Sequence, residues 1–185
     1  IVEKIYIKNI SMKDIPGDAI LFDMYYGGKD PVALAGEKRE APKVEFHPVT
    51  EATPQFRDFH ISNVVCNGAD KGIFIRGLPE MHVKNIVLEN MVLQAKRGID
   101  CQEASGITFN NIKVISKETD PVVEILNSDN IVFDKLVYKD GSSLLFRIGG
   151  DRSSRISIKN TDATKATQKV QYEFGASEKS VTLKD

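Results

Sequence analysis

The chain has 185 residues, of which 41% are hydrophobic and 28% are charged, and its formal net charge is −1. This length fits a single domain with enough apolar residues for a core, and the balanced charge gives no reason to expect nucleic acid as a partner. No apolar run approaches the roughly 18 residues of a membrane-spanning helix, so we expect no membrane partner either.

A short phrase recurs from the first residues onward, in which two apolar residues alternate with polar ones before an Asn and another apolar residue. Its copies begin at Ile5, Phe59, Ile86, Ile107, Ile131 and Ile156. Asn stands at the fifth position in every copy except one, where Lys135 replaces it. From Asn63 onward the copies are spaced by 27, 21, 24 and 25 residues. Self-similarity at such a period indicates stacked supersecondary units.

The alternation within each phrase predicts a half-buried strand, and a polar or Gly/Pro-bearing turn then leads to a second strand. We predict the second strands at 19–23, 72–76, 98–102, 122–126 and 144–148. Two or three short strands in each repeat leave no room for a helix, and the Leu-x-x-Leu-x-Leu spacing of a leucine-rich repeat is absent. The sequence therefore predicts an all-β fold, a parallel β-helix, in which stacked Asn side chains bond from coil to coil.

The repeat of the phrase is interrupted once and is lost near the end of the chain. We predict that residues 27–58, with four prolines and no copy of the phrase, form a long inserted loop, and that residues 162–185 form a polar tail on the single domain 1–185. Loops of that length are usually functional or disordered. Because no capping element precedes the first phrase, we expect a solenoid truncated at its N-terminal end, whose first coil self-associates through its open edge.

The cysteines and histidines suggest no metal or redox site. Cys66 and Cys101 fall in different columns of the coil, so we predict two buried thiols, since a disulfide needs Cα atoms within about 7 Å. The three histidines are unclustered and none has a metal-ligand spacing. We expect neither a metal nor a cofactor.

The Asn-centred coils and the phrase Ile-Leu-Phe-Asp-Met-Tyr-Tyr-Gly-Gly at 20–28 resemble the C-terminal part of glycoside hydrolase family 28, the polygalacturonase-type enzymes, and particularly its Bacteroides-like members. The resemblance covers nearly the whole chain. It implies a right-handed β-helix, an extracellular or periplasmic location, and inverting hydrolysis of the galacturonan backbone of pectin by two separated carboxyl groups.

The family's catalytic motifs do not occur in this sequence. There is no Asn-Thr-Asp, adjacent Asp-Asp, Gly-His-Gly or Arg-x-Lys in the expected frame. The resemblance therefore implies that the catalytic residues precede Ile1. We expect no catalytic residue in this chain, and no hydrolysis by it alone.

One family position does match. Members carry an active-site Tyr at a strand end within Asp/Gln-x-x-Tyr, and residues 23–26 place that role on Tyr26, or on Tyr25 if the register slips by one residue. Side-chain alternation also turns Asp23, Arg76 and Gln102 outward, and a guanidinium can bind a substrate carboxylate bidentately.

The same alternation turns further side chains outward, namely Phe74, Asp100, Glu124 and Arg147. The expected partner is a pectic polysaccharide or oligogalacturonide. The alternative is a non-catalytic β-helix, a carbohydrate-binding or adhesin-type module that shares only the solenoid.

Overall fold

The computed structural model describes residues 1–25 and 41–184, and in these ranges the chain alternates between two parallel β-sheets. The first sheet contains, among the described residues, the seven strands β1 (Val2–Lys13), β3 (Phe56–Asn67), β5 (Val83–Ala95), β7 (Ala104–Ser116), β9 (Asp129–Val137), β11 (Ser154–Lys159) and β13 (Val181–Lys184). The second sheet contains, in the same part of the chain, the six strands β2 (Ile20–Asp23), β4 (Lys71–Arg76), β6 (Arg97–Gln102), β8 (Val123–Leu126), β10 (Ser142–Gly149) and β12 (Ala166–Glu173).

Each strand pairs in parallel with the strand of the same sheet in the next coil. This winding is that of a parallel β-helix and confirms the predicted fold class. Within the described ranges, no helix is long and apolar enough to cross a membrane.

The core runs along the inside of the coils, as the alternation predicted. The inward side chains of the second sheet are all buried, namely Ile20, Phe22, Ile73, Ile75, Ile99 and Cys101. Farther along, the rings of Phe109 and Phe133 stack with centroids 4.4 Å apart, and Phe146 meets Phe133 edge-on at 5.1 Å. Cys66 and Cys101 are both free and buried, which confirms the two buried thiols.

The recurrent Asn occupies a left-handed backbone conformation. Its φ values are 62° at Asn9, 58° at Asn63, 55° at Asn90 and 52° at Asn111. Asn tolerates this conformation better than most residues because its short polar side chain can bond locally. The Asn63 amide donates to Asn9 Oδ1 at 3.0 Å and the Asn111 amide to Asn90 Oδ1 at 2.9 Å. The predicted bonds between coils are confirmed at these two pairs.

The last copies of the phrase show how the column accommodates a different residue. Lys135 takes the same left-handed conformation, with φ 61°. Because Lys lacks an amide, the side chain of Asn160 in the next coil donates to Asp134 Oδ1 instead, at 2.7 Å. The backbone bend is therefore retained where the side-chain pairing changes.

The prediction of a polar tail over 162–185 is wrong for most of that range. β12 pairs with β10, and β13 pairs with β11, so the solenoid continues; two 3-10 turns, Ala163–Lys165 and Glu178–Ser180, lie between these strands. Val170 and Tyr172 of β12 pack against the core and alternate with the polar Gln171 and Glu173, so the apolar alternation of the coils continues into this range.

The predicted loop at 27–58 falls partly outside the described residues, which resume at Ala41. From there to the start of β3 at Phe56, the described residues contain no strand or helix. The loop therefore ends at residue 55, three residues earlier than predicted.

The first coil leaves apolar surface exposed. β1 and β2 each pair with one strand only, β3 and β4 respectively, among the described residues. A cavity of about 280 Å³ opens there, lined by apolar side chains that include Ile7, Ile10, Leu21 and Phe22. Leu21 is 55% exposed.

Candidate functional site

Four of the five predicted site residues lie together on the outer face of the second sheet. Asp23 at the end of β2 is in register with Arg76 of β4, which is in register with Gln102 of β6. Tyr25 follows β2 by two residues, whereas Tyr26 lies outside the described residues. Strand register therefore assembles this row, because parallel strands end at the same edge of the sheet.

Asp23 and Arg76 form a bidentate ion pair between the first two coils. Arg76 Nε donates to Asp23 Oδ1 at 3.0 Å, and Arg76 Nη2 donates to Oδ2 at 2.9 Å. The Tyr25 backbone N–H donates to Asp23 Oδ1 at 2.9 Å. Burial alone would raise the pKa of the Asp23 carboxyl, but these hydrogen bonds outweigh it and hold the pKa below its ordinary value of 3.8.

The ion pair with Asp23 limits the ability of Arg76 to bind a substrate carboxylate. The sequence predicted an outward guanidinium able to bind a substrate carboxylate, but the structure gives that guanidinium an internal carboxylate partner and only 8% exposure. Its Cζ lies 5.1 Å from the centroid of the Tyr25 ring. Asp23 and Arg76 therefore hold the tyrosine in place, one through its backbone and the other beside its ring.

A second charged group lies next to this pair and involves Gln102. Lys71 Nζ donates to Asp100 Oδ2 at 2.9 Å, and Gln102 Nε2 donates to Asp100 Oδ1 at the same distance. The Phe74 ring contacts two cations, with Lys71 Nζ 3.6 Å and Arg76 Cζ 5.1 Å from its centroid. Such contacts are favourable because the ring face carries partial negative charge.

Residues 42–44 cover part of the row. Together with Tyr25, Arg76 and Gln102 they line a cavity of about 20 Å³, which is room for about one water molecule. Gln102 is only 6% exposed, although its side chain points away from the core as predicted. The sequence did not predict that the inserted segment would return across these strand ends.

Sequence reasoning also missed a buried carboxylate next to this cavity. Glu103, directly after β6, has a left-handed backbone with φ 47°. Its Oε1 accepts hydrogen bonds from Arg152 Nη2 and, at 3.0 Å, from the amide of Asn127. Its Oε2 lies 3.4 Å from His82 Nε2. The Glu103 carboxylate therefore contacts side chains from several coils.

The remaining predicted outward residues lie farther along the same face. Glu124 of β8 is in register with Asp100 on one side and Arg147 on the other. Arg147 Nη2 donates to Asp120 Oδ1 at 2.6 Å. The charges on this part of the face are thus also matched between neighbouring coils.

The face is better suited to binding than to proton transfer. A lowered pKa keeps Asp23 ionised near neutral pH, whereas a general acid must hold a proton there. Asp18, which precedes β2, has a raised pKa, chiefly because burial disfavours its charged form, while Lys71 and Arg97 oppose the shift. It lies at the start of that strand, away from Tyr25. No cluster of three or more His, Cys, Asp or Glu able to hold a metal occurs in the ranges 1–25 and 41–184.

No family model matches the chain, and comparison with curated proteins and with solved structures finds no significant match. The interpretation of the site therefore rests on its own geometry and on the resemblance of its sequence motifs.

Proposed function

We propose that this chain is the C-terminal, polysaccharide-contacting portion of a pectin-acting glycosidase of the polygalacturonase type. In this proposal the outer face of the second sheet around Tyr25 contacts a galacturonan chain, and the solenoid provides a rigid support for it. The observation that carries the proposal is Tyr25 itself, fixed at a strand end by Asp23 and Arg76.

The chemistry of the tyrosine supports contact with a sugar. A phenol presents an apolar ring that packs on the C–H groups of a pyranose and a hydroxyl that bonds to its polar groups. Tyr25 is half-buried, so part of its surface remains accessible to solvent. Lys43, which is exposed on the adjoining segment, adds a cation for a uronate carboxylate.

The charge on this face also sets an expectation for affinity. Lys71 and Arg76 are already paired with Asp100 and Asp23, so little uncompensated positive charge remains for a polyanion. We expect weak binding of oligogalacturonides that decreases with added salt, because exposed charges are screened at high ionic strength.

Calorimetric titration with oligogalacturonides tests the proposal. Tyr25→Ala should weaken binding about tenfold, the equivalent of about 1.4 kcal/mol. Tyr6→Ala is the matched control, since Tyr6 is 79% exposed on the first sheet, away from the candidate face. Absence of binding by the unaltered chain, or an equal loss in both variants, would contradict the proposal.

A second candidate function follows from the pairing of charges between coils. Arg76, Lys71 and Arg147 each have a carboxylate partner, an arrangement that favours a non-catalytic module for neutral glycans. The two functions differ in their preferred ligand. Tighter binding of neutral galactan than of galacturonan would favour the non-catalytic module.

A further inference from the structure

Residues 41–46 run beside the candidate face and end at an aromatic contact. Phe46 is 61% exposed, and the Cζ atom of Arg152, a residue that follows β10, lies 5.2 Å from its ring centroid. Pro42, Lys43 and Val44 line the small cavity beside Tyr25. The segment therefore reaches from the end of β2 to a residue several coils farther along.

The side chain of Arg152 is itself held in place by a buried carboxylate of the solenoid. Its Nη2 donates to Oε1 of Glu103, a carboxylate whose side chain is only 9% exposed and which also accepts from the Asn127 amide. A charge-assisted bond to a buried carboxylate fixes the direction of the guanidinium. The orientation of the Arg152 guanidinium beside Phe46 is therefore set by residues of the solenoid and not by residues 41–46.

The contact adds little to the stability of the core. Because most of the Phe46 ring remains in solvent, it removes little apolar surface from water on folding. An arginine fixed under an exposed ring nevertheless restricts where that ring and its chain neighbours can lie. The main effect of the contact between Phe46 and Arg152 is therefore to fix where residues 41–46 lie relative to the second sheet.

We infer that Arg152 is a positioning residue that holds residues 41–46 as a wall along the saccharide face and so determines which chains fit beside Tyr25. The saccharide part of this inference rests on the proposed function. Because Pro42, Lys43 and Val44 line the same small cavity as Tyr25, this wall narrows the face and disfavours a galacturonan chain with bulky esters or branches. Glu103 acts through Arg152 as a second positioning residue.

The position of the wall can be measured without any ligand. The chain contains no Trp, so Phe46→Trp introduces a single indole at the contact, and its fluorescence reports both the nearby cation and access by acrylamide. Adding Arg152→Gln should shift the emission and raise the quenching constant about twofold, since the guanidinium no longer covers one ring face. Arg155→Gln is the matched control, because Arg155 pairs with Asp129 on the first sheet.

Unchanged emission and quenching after Arg152→Gln, or the same change after Arg155→Gln, would overturn the anchoring. Arg152→Lys should restore part of the emission shift, because Lys keeps the charge but lacks the planar group. Circular dichroism should show the same β-sheet signal in all variants.

Binding then tests selectivity. The unaltered chain should prefer unsubstituted over methyl-esterified oligogalacturonides, and Arg152→Gln should reduce that preference severalfold while Arg155→Gln leaves it intact. An unchanged preference would overturn the role of the wall. If the unaltered chain binds neither ligand, the proposed function and the selectivity role both fail, whereas the fluorescence result still decides the anchoring.

Discussion

The first coil and the central coils share the same sequence pattern but differ in burial. Ile7, Ile61 and Leu88 occupy one column of the first sheet, yet they are 37%, 6% and 0% exposed. All three side chains point inward from the same position of the phrase. The difference teaches that burial in this fold comes from the neighbouring coils and not from a coil's own residues.

This dependence on neighbours is a property of solenoids. The strands of each coil pair only with those of the coils above and below it, so stability is approximately a sum of intrinsic and nearest-neighbour terms. A coil with one neighbour gains one such term, and a coil in the middle gains two. Matched substitutions in the two regions should therefore have unequal effects.

The largest effect should come from truncating the central member of the column. Leu88→Ala leaves a cavity in a fully buried site and should lower the free energy of unfolding by about 2–5 kcal/mol. Ile7→Ala removes a side chain that is already partly in solvent and should cost about 1 kcal/mol or less. Urea denaturation followed by circular dichroism measures both. Equal losses would mean that the first coil is as well packed as the centre.

A smaller effect should come from the ion pair that ties the first coil to the second. Asp23→Asn leaves the Arg76 guanidinium without its charged partner and should cost about 1–3 kcal/mol, less than for a fully buried pair. Because the pKa of Asp23 is lowered in the folded state, its stabilisation is complete above its ordinary value of 3.8 and is lost as the pH falls through the lower folded value.

The unaltered chain should therefore be more stable than the Asp23→Asn variant at neutral pH, and the two stabilities should converge in strong acid. Denaturation curves from pH 7 to pH 2 measure this gap. Asp140→Asn is the control, because Asp140 forms an exposed pair with Lys165 at 3.1 Å, and such pairs contribute about 0–1 kcal/mol. A gap that persists unchanged below the folded pKa would show that the carboxylate charge is not the cause.

The smallest effect that we expect is weak self-association through the first coil. Its open edge can pair with a second copy about a two-fold axis, which buries the apolar cavity on both and closes the assembly. Sedimentation at micromolar concentrations should show a reversible rise in mass. Leu21→Lys should abolish it, whereas Val65→Lys, at a similarly exposed position of β3, should not. A monomer at all concentrations would contradict the prediction.

The repeat was sufficient to predict the fold because its period and alternation are set by backbone geometry. The strands at 72–76 and 98–102 were predicted to within a residue of β4 and β6. The left-handed bend at each Asn was not predicted, because a strict alternation of two describes a straight strand. β12 was missed because it contains no copy of the Asn-centred phrase, and only Val170 and Tyr172 in its second half alternate with polar residues.

The contacts of the candidate site were harder to predict from the sequence, because they join residues of different coils. Asp23, Arg76 and Gln102 were correctly predicted to point outward from one sheet, but the ion pair between Asp23 and Arg76 was not anticipated. A signal was available, since aligning Ile20 with Ile73 also aligns Asp23 with Arg76. The contact between Phe46 and Arg152 had no such signal, because the segment around Phe46 lies outside the repeat.

The left-handed column has a consequence for how this chain can change length in evolution. Successive copies between Asn63 and Asn160 differ in spacing by up to six residues, yet each returns to the same left-handed position. Insertions and deletions are therefore tolerated in the turns, whereas one extra residue inside the phrase would shift Asn from its column and turn the following side chains to the wrong face. A whole coil is accordingly the unit that such a gene can gain or lose by recombination.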